Sequence, residues 1–235
     1  MCKRFIYLFL AFVFCLAGPL TAELTDVTSP GDTIIDYPRG SSQSTTNGPW
    51  HAIDNDLTSK FFSWNGDTEP TGLDVTPSIG RTVVTELRIG SAWDVPARDP
   101  IQFELWGSNA SIDGPYTLIA VGDVVDFNQS TEWPRNTLTT TAITFANNKG
   151  YDHYRLMLYP IRGPVSTDAG GGNGLQIGEI ELLGYPGSGT EASSPIPEDG
   201  ATDVPRDVVT GWMPTESAVA HDVYFGTVFG DVNNA

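Results

Sequence analysis

The stretch TVVTELRI, residues 82–89, sets Val83, Thr85, Leu87 and Ile89 on one side and Glu86 and Arg88 on the other. A period of two residues marks a strand with one buried and one wet face. Residues 101–106 (IQFELW) repeat it, with Ile101, Phe103 and Leu105 against Gln102, Glu104 and Trp106. Trp106 thus falls on the polar side. Its ring stands on a solvent face or is covered by a loop, and core packing is the expectation. Residues 116–121, 140–145, 154–159 and 177–183 carry the same alternation, and residues 33–37 a weaker form of it. Turn formers fill the gaps at residues 109–115, 147–150 and 168–174, and no helical pattern exceeds one or two turns. Many short strands joined by Gly-, Pro- and Asn-rich loops require two packed antiparallel sheets. The fold class is all-β.

Outward from this centre, the N-terminus has a different character. Lys3 and Arg4 precede an apolar run over residues 5–16 and a break at Gly18-Pro19. This is the layout of a secretory signal peptide, with a cut after Ala22 or Ala17. The run is short for a membrane anchor, which is the competing reading. Cys2 and Cys15 are the only cysteines and both lie in the segment to be removed, so no disulfide or thiolate-held zinc is expected in the mature chain. Without Lys3 and Arg4, ten basic residues face twenty-nine acidic ones, a formal net charge of −19. Such a charge disfavours nucleic acid and anionic membranes and favours solubility and cation association. No membrane insertion is expected once the signal is gone.

Composition shifts again at residues 184–190 (GYPGSGT). The expected organisation is a signal peptide at 1–22, a β-sandwich at 23–185, a linker at 186–195 and a second unit at 196–235. Residues 208–212 and 218–225 read as strands of that second unit. Only about forty residues are left for it, against roughly one hundred in an immunoglobulin-like or fibronectin-like sandwich. It is therefore expected to be an incomplete small β-sandwich, and a catalytic domain beyond residue 235 stays open.

Residues 52–61 (AIDNDLTSKF) resemble the first signature of the discoidin, or coagulation-factor-type C, domains. Residues 91–100 (SAWDVPARDP), 103–109 (FELWGSN) and 175–184 (LQIGEIELLG) fit one bacterial subgroup of these domains in the right order. The resemblance covers about residues 34–185. It implies a galactose-binding-like jelly roll, a fold shared with many carbohydrate-binding modules of secreted bacterial glycosidases. The tail after Pro195 resembles a repeat found behind sugar-binding domains in large exported bacterial proteins. The resemblance also implies a structural calcium ion, with side-chain oxygens from Asp54, Thr58 and Glu179 and carbonyl oxygens from Ile53, Asp56, Thr58 and Gly178.

The residues themselves allow that ion. Asp54, Asp56 and Thr58 set three oxygen-bearing side chains at alternate positions, and calcium takes six to eight hard oxygens. An EF-hand is excluded, because Ser59 stands where that loop needs glycine and Asn65 where it needs glutamate. The alternative is an Asx turn in which Asp54 caps backbone N–H groups while Glu179 faces solvent. Trp50, Trp64, Trp93 and Trp133 lie in or beside loops, where an indole stacks on a pyranose or anchors the loop. His51 adjoins the acidic motif and is a ligand candidate. Arg98 is expected to pair with Asp94 or Asp99 and stiffen its turn. His153 and His221 are expected to be structural.

Catalytic signatures are lacking: neither a nucleophile elbow, a zinc-protease motif, a P-loop nor a dinucleotide fingerprint occurs. Glu179 and Glu181 share a strand face at a spacing of about 7 Å that would suit an inverting carboxylate pair, yet nothing marks a cleft. The expected function is a non-catalytic, carbohydrate-binding module of a secreted or cell-surface protein, whose partner is a glycan or another surface ligand. The alternatives are a cell-surface adhesive or structural module and the accessory domain of a truncated glycoside hydrolase.

Overall fold

The structure is a computed structural model that describes residues 24–43, 45–163, 174–187, 193–198 and 200–213. The expected signal peptide, the turn at 168–173, the strand at 218–225 and His221 lie outside the described residues. In chain order the strands are β1 (Thr25–Asp26), β2 (Thr33–Tyr37), β3 (Phe61–Ser63), β4 (Thr71–Thr76), β5 (Thr82–Gly90), β6 (Gln102–Ser108) and β7 (Thr117–Asp123). They continue with β8 (Ile143–Thr144), β9 (His153–Leu158), β10 (Leu175–Ile177), β11 (Glu179–Pro186), β12 (Ser193–Ile196) and β13 (Gly211–Met213).

Two antiparallel sheets make the sandwich, in the orders β1-β11-β5-β8 and β2-β4-β9-β6-β7. Their inner faces meet through Val84, Leu87, Ile89, Ile180 and Leu182 on one side and Leu73, Val75, Phe103, Leu105, Leu156 and Leu158 on the other. Tyr154 is fully buried between them, and its hydroxyl donates to the Thr82 carbonyl and accepts from Thr82 Oγ1 at 3.0 Å. A buried phenol is tolerated only when so paired. The chain is an all-β jelly-roll sandwich, with smaller two-stranded sheets β10-β3 and β12-β13 beside it.

Three details depart from the sequence reading. In β5 the register steps from Gly184↔Val84 to Leu183↔Glu86, so Thr85 is passed over. This bulge flips the alternation: Val84, not Val83, joins Leu87 and Ile89 in the main core. The strand expected over 177–183 breaks at Gly178, with β10 pairing β3 and β11 pairing β5. Trp106 is half-buried on the outer face of the five-stranded sheet, opposite Arg155, rather than packed in the core. Its Nε1–H donates to Glu104 Oε2 at 3.0 Å along the same strand face, so the indole finds a partner without leaving that face.

Candidate functional site

The acidic motif follows a short 3-10 turn, Pro49–Ala52, and is anchored by Ala52 and Ile53, which are buried in the core. Asp54 Oδ1 accepts the Asp56 N–H at 3.0 Å, an Asx turn. Its other oxygen accepts from Ser59 Oγ at 2.8 Å and lies 2.7 Å from His51 Nδ1. Asp56 Oδ1 accepts from the N–H and hydroxyl of Thr58, at 2.9 and 2.6 Å, and these bonds hold its carboxyl below the usual range. Between them Asn55 adopts a left-handed backbone (φ 60), a conformation asparagine tolerates. That turn aims its N–H at Glu179 Oε2, 2.8 Å away and 124 residues later in the chain.

Glu179 opens β11 and is only 3% exposed. The solvent-facing alternative for it is therefore wrong, although Asp54 does form the Asx turn. Its Oε1 accepts from the Ile180 N–H at 3.2 Å, and among the described residues no cation pairs with it. Burial pushes its carboxyl up to about 8, against the two backbone N–H groups, with the Asp54 and Asp26 charges adding to the rise. Gly178 brings more oxygen close. A β-carbon there would stand 2.7 Å from the Ser91 carbonyl oxygen and 3.5 Å from that of Leu57. Among the described residues no three His, Cys, Asp or Glu side chains converge at metal-holding spacing. A calcium site relying largely on backbone carbonyls does not need such a trio. Glu179 is a buried carboxyl beside the Asp54 turn that meets two backbone N–H groups, and the oxygens near it are hard donors of the kind calcium takes. Glu181 is separate, 3.7 Å from Arg88 Nη1.

A second constellation surrounds Phe62 of β3. Lys60 is 5% exposed, and its Nζ donates to both Asp94 oxygens at 2.7 Å and to Gln176 Oε1 at 3.2 Å. Burial lowers the Lys60 pKa, opposed by that carboxylate. Gln176 Nε2 in turn donates to the carbonyls of Asp94 and Val95, which ties β10 to the 91–100 loop. The ammonium lies 4.4 Å from the Trp93 ring centre, and the Arg98 guanidinium lies 4.8 Å from that of Phe62. Trp64 meets Phe62 edge-on at 4.8 Å. The two tryptophans are about half exposed, Trp93 at 54% and Trp64 at 50%. Rigid indoles, a fixed carboxylate and two cations on one loop end are what recognition of a polar, ring-shaped ligand needs.

The expected ligand residues divide accordingly. Trp64, Trp93 and Arg98 gather around Phe62 and Lys60. Asp94 is held by Lys60, and Asp99 by Arg135 in a two-pronged pair at 2.6 and 2.7 Å. Trp50 leans over His51, ring centres 5.5 Å apart, and belongs with the acidic loop through the His51–Asp54 contact. Trp133 packs on the core and donates to the Thr137 carbonyl at 3.2 Å. His153 is structural, its Nδ1 2.7 Å from Thr76 Oγ1. Lys60, Phe62 and Gln176 were not singled out by sequence, and Asp94 only as a partner for Arg98. The signal available was a lone lysine between the acidic motif and two phenylalanines.

No protein-family model and no curated protein matches this sequence. Solved structures do. The module CBM32-3 from a family 31 glycoside hydrolase of Clostridium perfringens is 11% identical, with a TM-score of 0.50, covering 69% of this chain and 94% of its own. The family 32 carbohydrate-binding module of C. perfringens NanJ, solved with galactose, is 18% identical with a TM-score of 0.48, covering 68% and 98%. Chitosan-binding module 1 of a chitosanase/glucanase from Paenibacillus sp. IK-5 is 16% identical with a TM-score of 0.46, covering 67% and 97%. At such identities the first of these shows shared fold alone. Among the described residues no helix is long and apolar enough to cross a membrane.

Proposed function

We propose that this chain is a non-catalytic carbohydrate-binding module of a secreted or cell-surface protein, with the ligand held at the loop end around Phe62. The carrying observation is the pair of half-exposed indoles, Trp64 and Trp93, on a frame fixed by Phe62, Lys60, Asp94 and Gln176. Rings immobilised this way lose little freedom when a pyranose stacks on them. The test is a glycan array with the full chain, followed by titration of the best glycan against Trp64→Ala and Trp93→Ala. Each substitution should weaken binding by about tenfold, near the roughly 1–1.5 kcal/mol of one aromatic contact. Retained docking to cell-wall preparations without any glycan binding would favour the adhesive alternative and sink this one.

The same reading includes structural calcium between the acidic loop and β11. Asp54, Thr58 and Glu179 would give side-chain oxygens, and Ile53, Asp56, Thr58 and Gly178 their carbonyls. The ion supplies charge neutralisation and cross-linking. The support is Glu179, a buried carboxylate whose only partners among the described residues are two backbone N–H groups. Calcium should raise the thermal midpoint of the wild type by several degrees and leave Glu179→Ala unmoved. Equal midpoints with calcium and with chelator would reject the ion.

A further inference from the structure

We propose a second saccharide site on the outer face of the five-stranded sheet, built around Trp106 and Glu104 and independent of the loop end. It takes a pyranose without acid groups.

Strand register creates the site. Across one row Asp74, Arg155 and Trp106 are paired neighbours, and across the next Tyr37, Gly72, Met157 and Glu104. In the second row Gly72 offers no side chain between Tyr37 and Met157. Beside these rows lies a hollow of about 190 Å³ lined by Tyr37, Glu104, Trp106, Arg155 and Met157. A second depression of about 280 Å³ adjoins it at Glu104, and Tyr159 and Asp123 are among its walls.

Every polar wall is held in place without the help of a ligand. Arg155 donates to both oxygens of Asp74, at 2.6 and 2.9 Å, and Asp74 is 1% exposed. The guanidinium is also clamped between two phenol rings, 4.0 Å from the centre of Tyr37 and 4.4 Å from that of Tyr116. Asp74 takes Nε and Nη2, so Nη1 is left for another acceptor among the described residues. Glu104 spends Oε2 on the Trp106 indole, which fixes the ring plane, and Oε1 accepts from no described residue. A planar indole, a donor and an acceptor therefore surround one small hollow with apolar walls at Met157 and Tyr37. Core packing does not account for this, because the inner face of β6 is already filled by Phe103 and Leu105.

The charge selects the ligand. Arg155 is neutralised by Asp74, which leaves Glu104 and the neighbouring Asp123 as the net charge of the face. Uronates and sulfated sugars are repelled, whereas a ring bearing only hydroxyl or acetamido groups suits the indole and both hydrogen-bonding edges.

The test follows indole N–H resonances of the full chain, with the Trp106 signal assigned from Trp106→Phe. The probes are lactose, the trimer of N-acetylglucosamine and oligogalacturonate, each to about 20 mM, enough to reveal millimolar affinity. Either neutral sugar should shift the Trp106 resonance along a saturating curve, in wild type and in Trp93→Ala alike. Glu104→Gln, which keeps the shape, should weaken that curve at least threefold. A Trp106 signal indifferent to both neutral sugars overturns the site, and so does an equal response to oligogalacturonate. A signal that moves with protein concentration alone would make the face a self-contact and overturn it too. Loss of the response in Trp93→Ala would reduce it to an extension of the loop-end site. Failure of the loop-end reading would instead show in the Trp64 and Trp93 signals and leave this result standing.

Discussion

Glu179 and Lys60 show how much single charges decide here. Glu179 has a carboxyl raised to about 8 in the folded chain, against an ordinary 4.5. Between those values the folded state keeps a proton that the unfolded state has lost, so stability falls as pH rises through that window. Calcium would replace the proton as the neutralising partner. Denaturation midpoints measured from pH 5 to pH 8 should therefore decline in chelator and stay nearly level in calcium, and Glu179→Gln should flatten the chelator curve. A flat wild-type curve in chelator would contradict the buried charge. Lys60 is the opposite case, a buried ammonium already paired. Asp94→Ala should cost about 3–5 kcal/mol, because it strands that charge, whereas Lys60→Met with Asp94→Asn should recover most of the loss. Urea unfolding of the two variants separates these outcomes.

At the scale of elements, alternation along β5, β6 and β9 made the sandwich legible from sequence, because each has one face on the core and one outside it. The same rule failed where backbone geometry intervened. The Thr85 bulge exchanged Val83 for Val84, and a two-residue period cannot anticipate a bulge. β4 passed unnoticed because its outward positions are Gly72 and Asp74, neither a strand former, and Asp74 is buried only by virtue of Arg155, 81 residues away. The acidic loop and Glu179 were paired in advance only through family resemblance. The cluster at Phe62 and the hollow at Trp106 arise from cross-strand register, which no local pattern records. Gly178 marks the break between β10 and β11, beside the Ser91 backbone. Gly178→Ala would set a β-carbon 2.7 Å from the Ser91 carbonyl oxygen, a contact relieved only by backbone movement. It should cost about 1–3 kcal/mol and weaken calcium binding as well, both measurable by thermal unfolding with and without the ion.

Across the whole molecule, stability is distributed unevenly. The two large sheets share one core in which twelve large side chains, from Tyr154 to Ile180, are less than 2% exposed. The β12-β13 pair has a different basis. Its register is irregular, with Ser193↔Met213 and Ile196↔Gly211 as the paired positions. From Ala201 to Thr210 every residue is exposed, and Val209 reaches 72%. Among the described residues this two-stranded pair buries little apolar surface, and such a pair by itself is marginal in water, whatever its strand propensity. The formal charge of −17 adds self-repulsion that a large core absorbs and a hairpin does not. Hydrogen exchange on the intact chain should accordingly show two classes of amide. Those of β5, β6, β9 and β11 should exchange only through global unfolding and slow further when calcium is added. Those of residues 193–196 and 211–213 should exchange at least a hundredfold faster, and calcium should not slow them, because the proposed ion would bridge only the sandwich. Protection of the hairpin equal to that of β9 would mean that it belongs to the same cooperative unit, with its apolar side chains covered by a partner surface.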